Sequence, residues 1–242
     1  VNALKKPSDW NNKQAEAAIQ EGTMDFVMAN PPFGAKIKID SQDILQEYDL
    51  AHSWTRSEDR WIMDSNLRNA VEPEVLFVER CIKFLKPGKG KCGIVLPDSI
   101  LSNPGYAYLR YWILQNCQVL ASVDLPVETF LPRTGTQTSV LILRRKSEQE
   151  KLGESLGGKN TEYPIFMASP KTVGKDRRGQ FIYRRDKTGK EILDRDLYEP
   201  YSKSTILDFL PVVETNGRIV DDELPLVADL FHKFQKDNGI KR

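Results

Sequence analysis

The sequence contains little of what several common classes of protein require. Its three cysteines, Cys81, Cys92 and Cys117, are an odd, scattered set without a C-x-x-C pair, which argues against a disulfide framework and a zinc site. Its two histidines, His52 and His232, are too few and too far apart in sequence for a metal centre built from several imidazoles. No apolar run approaches the roughly 20 residues of a membrane span, and the N-terminus lacks the features of a signal peptide. These absences predict a cytoplasmic protein without a membrane segment.

The overall charge is almost balanced, with 35 Lys and Arg against 34 Asp and Glu, so it provides no general attraction to nucleic acid. One segment departs from this balance, because residues 171–190 hold eight Lys or Arg against two Asp. This basic segment either follows a phosphate backbone or forms a solvated hairpin, and the sequence leaves both alternatives open. Its cations are Lys171, Lys175, Arg177, Arg178, Arg184, Arg185, Lys187 and Lys190.

Apolar periodicity in the middle of the chain predicts strands and helices that alternate. Strands are expected at 26–29, 92–96, 119–125 and 139–143, and helices at 74–86 and 106–115. The first strand is expected to be buried. This order is typical of an α/β fold, in which helices cover a parallel sheet. The connection before the last strand is short and contains proline and glycine, so we expect that strand to run antiparallel to its neighbour.

Other segments show weaker signals. Residues 35–71 are predicted to be a long loop with short helical pieces, and residues 148–160 a solvated loop or linker. Short strands are predicted at 163–167 and 180–184, and an acidic turn opens a final helix within 220–234.

The most informative motif is Asn30-Pro31-Pro32-Phe33, directly after the first predicted strand. To methylate an amino group on an aromatic ring, an enzyme must localise the nitrogen lone pair by accepting hydrogen bonds from both amino hydrogens. Asn30 offers a side-chain amide oxygen, and the carbonyl of Pro31 has a direction set by the two prolines. Phe33 offers a flat face on which an extruded base stacks. The alternative is that the motif only ends a strand and that Phe33 is a core residue.

Residues 25–34 resemble the catalytic motif of amino-group DNA methyltransferases, in particular the modification subunits of type I restriction-modification systems. The resemblance extends over roughly residues 25 to 230 and is carried further by 77–90, 93–101 and 123–143. It implies methylation of the N6 amino group of adenine in DNA, with S-adenosylmethionine as the methyl donor. It also implies DNA, a specificity subunit and a restriction subunit as partners.

The resemblance assigns roles to particular residues. Asn30, Pro31, Pro32 and Phe33 match the catalytic positions, and Phe33 would also stack on the target base. Asn30 and Phe77 match positions at the cofactor, and Phe130 matches an aromatic residue that packs against the flipped base. The alternatives are that Phe77 is a helix core residue and that Phe130 anchors a loop.

The chain departs from this family in one respect. The family's Gly-rich cofactor signature lies before the catalytic motif, but no G-x-G occurs ahead of Asn30. We therefore expect a partial Rossmann-like, S-adenosylmethionine-dependent methyltransferase fold that is inactive in isolation. The expected divisions are a polar lead-in at 1–24, the catalytic half of the domain at 25–147, and an α+β extension at 148–242.

Two other functions stay open from the sequence. The same motif serves enzymes that methylate protein glutamine or RNA guanine, because the chemistry at the amino group is shared. A non-catalytic interaction module derived from a methyltransferase is the second alternative, although the undamaged motif argues against it.

Overall fold

The computed structural model describes residues 2–32, 37–58, 60–157, 162–192 and 217–240. The chain divides into two compact units, each described here by itself: Val1–Asp124 with Gln137–Ala168, and Leu125–Thr136 with Ser169–Arg242. These limits differ from the boundaries expected after residues 24 and 147, and the lead-in belongs to the first unit. The assignment of functional domains stays a prediction.

The helices and strands follow one another along the chain, with all but the last in or reaching from the first unit. They are α1 Lys13–Ala18, β1 Phe26–Ala29, α2 Gln42–Leu45, β2 His52–Ser57, β3 Arg60–Leu67, α3 Pro73–Phe84, β4 Lys91–Pro97, α4 Asp98–Ser102, α5 Ala107–Asn116, β5 Cys117–Leu125, β6 Thr138–Arg145, α6 Glu148–Gly157, β7 Phe166–Ala168 and α7 Leu224–Asp237. Among the described residues, none of these helices combines the length and apolarity needed to cross a bilayer.

A five-stranded sheet organises the first unit, in the order β1-β4-β6-β5-β7. β1 runs parallel to β4, and β4 runs antiparallel to β6. The predicted α/β fold class and the predicted antiparallel last strand of the central pattern, which is β6, are therefore confirmed. The predicted helices at 74–86 and 106–115 are also confirmed, as α3 and α5.

Helix α3 covers the sheet at β1 and β4. Pro73 occupies its first turn, where no intrahelical N–H donor is needed. Val75, Val78 and Ile82 recur at helical spacing and are all buried in the core. The helix ends just before Pro87, which cannot continue it.

The prediction that the first strand is buried was wrong. β1 stands at the end of the described sheet, and its residues alternate between the core and solvent. Val27 and Ala29 pack on the core, whereas Phe26 is 53% and Met28 81% exposed. The apolar run suggested two covered faces, but in the described structure α3 covers only one.

The prediction of a long loop at 35–71 was also wrong. Strands β2 and β3 pair there as an antiparallel hairpin. Trp54 and Trp61 lie against Tyr108 of α5, with ring centroids 6.2 and 6.4 Å from it. Most other side chains of the two strands are polar and face solvent, so the period-2 pattern is weak in the sequence.

Residues 148–157 form helix α6 rather than the predicted loop. Its glutamates pair with cations that β6 and the residue after it supply: Glu150 with Arg144 at 2.7 Å, and Glu154 with Lys146 at 2.6 Å. These partners come from another element, so apolar periodicity does not reveal them. Of the two predicted short strands, β7 covers part of the first, while 180–184 contributes only isolated bridges.

Two buried charged residues of α3 hold the chain that precedes it. Glu79 accepts hydrogen bonds from the backbone N–H groups of Asp49 and Leu50, at 3.0 and 2.9 Å. Burial raises the pKa of the Glu79 carboxyl, while Lys83 opposes that shift. Arg80, only 1% exposed, donates to the hydroxyl of Tyr48 at 2.8 Å and to the carbonyl of Leu4 at 2.9 Å. The lead-in is therefore part of the packed unit.

We expect Arg80→Met to destabilise the fold by about 2 to 4 kcal/mol, because the buried acceptors of Tyr48 and Leu4 lose a charged donor. Urea denaturation measures this loss, and hydrogen exchange should show that residues 2–18 open first. Arg60→Met, at an exposed position of β3, is the matched control and should change stability by less than about 0.5 kcal/mol. Equal stability of the two variants would contradict this account.

Candidate functional site

The predicted catalytic motif lies at the carboxyl end of β1. Asn30 directly follows the strand and is exposed, while Pro31 is buried and Pro32 is exposed again. Because β1 and β4 are parallel, with Ala29 paired to Ile94, Asn30 lies at the edge where β4 also ends. Open α/β sheets bind their ligands at this edge.

Phe33 falls among residues 33–36, outside the described residues. Its predicted stacking role therefore stays a prediction. The geometry of the site rests on Asn30, Pro31 and the residues that share their edge of the sheet.

A polar cluster occupies the same edge, beyond the end of β4. Asp98 accepts a hydrogen bond at 2.9 Å from the hydroxyl of Ser139, which is only 5% exposed. The backbone N–H of Asp98 donates to the carbonyl of Gln137 at 3.0 Å. The side chain of Gln137 in turn donates to Asp124 at 3.0 Å. Two carboxylates, an amide and a hydroxyl are thus connected where three strands meet.

Burial raises the pKa of the Asp98 carboxyl above its ordinary value of 3.8, and the negative charge of Asp124 raises it further. The hydrogen bond from Ser139 acts in the opposite direction, because it stabilises the ionised form. Asp98 was expected to cap a turn, and it does stand at the start of α4. Its side chain, however, is engaged by the next strand.

Phe77 lies on α3, where it is half-buried among fully buried neighbours and packs against the core. Its partial exposure leaves some of the ring open to solvent. Both roles considered for it, core residue and cofactor contact, are compatible with this position. The cofactor role remains a prediction.

Phe130 belongs to the second unit. It follows a short helical turn, Val127–Thr129, and its carbonyl accepts hydrogen bonds from the N–H groups of Arg133 and Thr134 at 3.0 and 3.1 Å. These bonds fix the loop around it. The predicted contact of Phe130 with a flipped base stays a prediction.

The sequence contained a signal for the polar cluster that was not used. Leu96-Pro97-Asp98 and Asp124-Leu125-Pro126 both place an aspartate and a proline at the end of a buried strand. A polar residue at such a position marks the edge where strands end. Ser139 and Gln137 had no comparable signal, because their position depends on the antiparallel direction of β6.

The model of the N-6 DNA methylase family matches residues 2–178, which is most of the chain. A comparison with curated proteins found no match.

Among solved structures, the chain is similar to a modification subunit of a candidate type I restriction enzyme from Vibrio vulnificus YJ016, at 20% identity and a TM-score of 0.46. That match covers 74% of this chain and 30% of the other. A type I restriction-modification methyltransferase subunit from Streptococcus thermophilus gives 23% identity, a TM-score of 0.40, and 58% and 26% coverage. The M protein of the type I restriction enzyme EcoKI gives 23%, 0.35, and 52% and 21%. With TM-scores below 0.5, these likenesses support no argument, and the family assignment rests on the family model.

We expect Ser139→Ala to raise the pKa of Asp98 further and Asp124→Asn to lower it, since the first removes a donor and the second a like charge. Carbon-13 NMR titration of the carboxyl measures both shifts. The folded pKa lies above the ordinary value, so stability from this group is present at low pH and is lost as the pH rises through the folded pKa. Asp98→Asn should remove that pH dependence.

Asp9→Asn is the control, because Asp9 is an exposed carboxylate near the start of the chain. It should leave the titration of Asp98 unchanged. Shifts of the same sign in Ser139→Ala and Asp124→Asn would contradict the polar cluster as described.

Proposed function

We propose that this chain, which belongs to the N-6 DNA methylase family, carries the amine-binding part of an enzyme that methylates the N6 amino group of adenine in DNA. The observation that carries this proposal is the position of Asn30 and Pro31, at the carboxyl end of a parallel strand and exposed at that edge. Among the functions considered from the sequence, the family match favours DNA over protein glutamine or RNA guanine as substrate.

In the proposed reaction, Asn30 and Pro31 bind the target amine. The side-chain oxygen of Asn30 accepts one amino hydrogen and the carbonyl of Pro31 accepts the other. Together these bonds localise the nitrogen lone pair, so that the nitrogen becomes nucleophilic. Phe33 stacks on the extruded base, and Phe130 packs against it. No side chain needs to form a covalent bond.

The methyl group would come from S-adenosylmethionine, whose sulfonium activates it for transfer. The described residues fit one side of such a cofactor, since half-buried Phe77 offers part of an aromatic ring on the helix that packs on β1 and β4. Asn30 lies next to the same strand end. This chain supplies orientation of the amine and a partial surface for the cofactor.

The chain spans 30% of the Vibrio vulnificus structure and 21% of the EcoKI M protein. The whole protein's partners are therefore part of the proposal. They are DNA, a specificity subunit and a restriction subunit of a type I system, in the cytoplasm. A specificity subunit would choose the DNA sequence, because the residues named above recognise an amino group rather than a sequence.

In the complete protein, Asn30→Ala should lower methyl transfer to adenine-containing duplex DNA by at least about 100-fold, because one amine hydrogen loses its acceptor in the transition state. Transfer of a labelled methyl group measures this loss, and calorimetry should show a much smaller change in cofactor affinity. Asn11→Ala, at an exposed position near the N-terminus, is the matched control. Full activity of Asn30→Ala would exclude the proposed role.

We expect the 242-residue chain alone to bind S-adenosylmethionine with a Kd weaker than about 10 μM, equivalent to −8.2 kcal/mol at 1 μM less one factor of ten. The reason is the open edge at β1, where Phe26 and Met28 are exposed and one side of the strand has no neighbour among the described residues. Tighter binding in calorimetry would show that the cofactor surface is complete in this chain.

A further inference from the structure

The second unit contains a repeated turn that the basic segment forms twice. Asp176 to Gln180 and Asp186 to Lys190 share an Asp-x-x-Gly-x sequence, ten residues apart. In both, the N–H of the aspartate donates to the carbonyl four residues later, at 2.8 and 2.9 Å. Gly179 and Gly189 adopt positive φ angles of 83° and 85°, a conformation that glycine adopts readily.

Each turn is fixed by its own aspartate. The Oδ1 atom of Asp176 accepts from the N–H groups of Arg178 and Gln180, at 2.8 and 2.9 Å. The Oδ1 atom of Asp186 accepts from Thr188 and Lys190 in the same way, at 2.8 and 3.1 Å. The two acidic residues of the segment are therefore occupied by the backbone, and the turns are ordered before any ligand binds.

The cations of the segment fall into two classes. Three arginines are held by carboxylates: Arg177 by Glu128 at 3.3 Å, Arg184 by Asp221 at 3.6 Å and Arg185 by Glu191 at 3.4 Å. By contrast, Arg178, Lys187 and Lys190 are exposed on the turns, and their side chains have no ion pair within the part of the chain that the structure describes. These three, the turn cations, form an uncompensated positive surface.

A cavity of about 290 Å³ opens beside the first turn. Lys171, Lys175 and Arg177 contribute three cations to its lining, against the carboxylates of Glu128 and Asp176. The hydroxyl of Thr172, also in the lining, is buried and has no hydrogen-bond partner among the described residues. An anionic oxygen at this position would satisfy that hydroxyl and the surplus positive charge.

We propose that the two turns and the adjoining cavity form a surface that binds the phosphate backbone of DNA. Turns that are fixed in advance and present uncompensated cations suit a repeating anion, and Phe181, 46% exposed between them, offers an apolar contact to sugar or base. This inference rests on the proposed function, in that it takes the partner to be the DNA substrate. It assigns non-specific affinity to the turn cations rather than to the ion-paired arginines.

The test compares Arg178→Gln/Lys187→Gln/Lys190→Gln with the parent in the complete protein, using several unrelated fluorescent DNA duplexes. We expect a loss of affinity of at least about tenfold near 0.15 M salt, similar for every duplex, since phosphate contacts carry no sequence information. The slope of log K against log salt should fall by roughly 2 to 3, at about 0.9 for each contact.

The matched control is Lys5→Gln/Lys13→Gln/Lys89→Gln, which removes the same charge from exposed positions of the first unit. Its salt slope should change by less than about 1. A turn variant that keeps both affinity and slope would overturn the inference, as would a control that loses as much as the turn variant. Loss of a partner subunit with unchanged DNA affinity would also overturn it, in favour of a protein-docking surface.

A second variant and a second readout separate this inference from the proposed function. Thr172→Val changes no charge, and it should weaken DNA binding without altering the salt slope. At saturating DNA, methyl transfer by the turn variant should keep its kcat while the KM for DNA rises. A parent protein that binds DNA through the turns but transfers no methyl group would contradict the proposed function alone.

Discussion

The buried charges of α3 are the constraint on which the rest of the first unit depends. An ionised Arg80 inside the core is tolerated only while Tyr48 and Leu4 accept its hydrogen bonds, because an unpaired buried charge costs several kcal/mol. Glu79 imposes the same condition on the backbone at Asp49 and Leu50. One helix thereby fixes two segments that precede it, one on each side of β1 in the sequence. The strand that carries Asn30 is held between them.

The direction of the strands then determines which groups meet. β1 and β4 are parallel, so Asn30 and Asp98 reach the same edge, and β6 begins at that edge because it is antiparallel. Ser139 and Gln137 enter the polar cluster for this reason alone. A hydroxyl and an amide thus compensate the burial of carboxylates close to where the amine is proposed to bind. Their position follows from strand direction rather than from any local motif.

The sequence predicted the elements whose apolar period comes from burial against the sheet, such as α3 and β4, and the position of Asn30 at a strand end. It did not predict elements stabilised by residues distant in sequence. The hairpin of β2 and β3 depends on Trp54 and Trp61 reaching Tyr108, and α6 depends on cations at the end of β6. The exposure of Phe26 was missed because a strand's own sequence does not say whether it stands at the end of a sheet.

The exposure of Met28 has a chemical consequence. At 81% exposure its thioether is open to peroxide, and oxidation to the sulfoxide would replace an apolar group with a polar one on the outer face of β1. Any partner surface that packs on that face would slow the reaction by excluding the oxidant, and a sulfoxide formed beforehand would weaken the packing. The oxidation state of one methionine would thus record whether this face of the sheet has been covered.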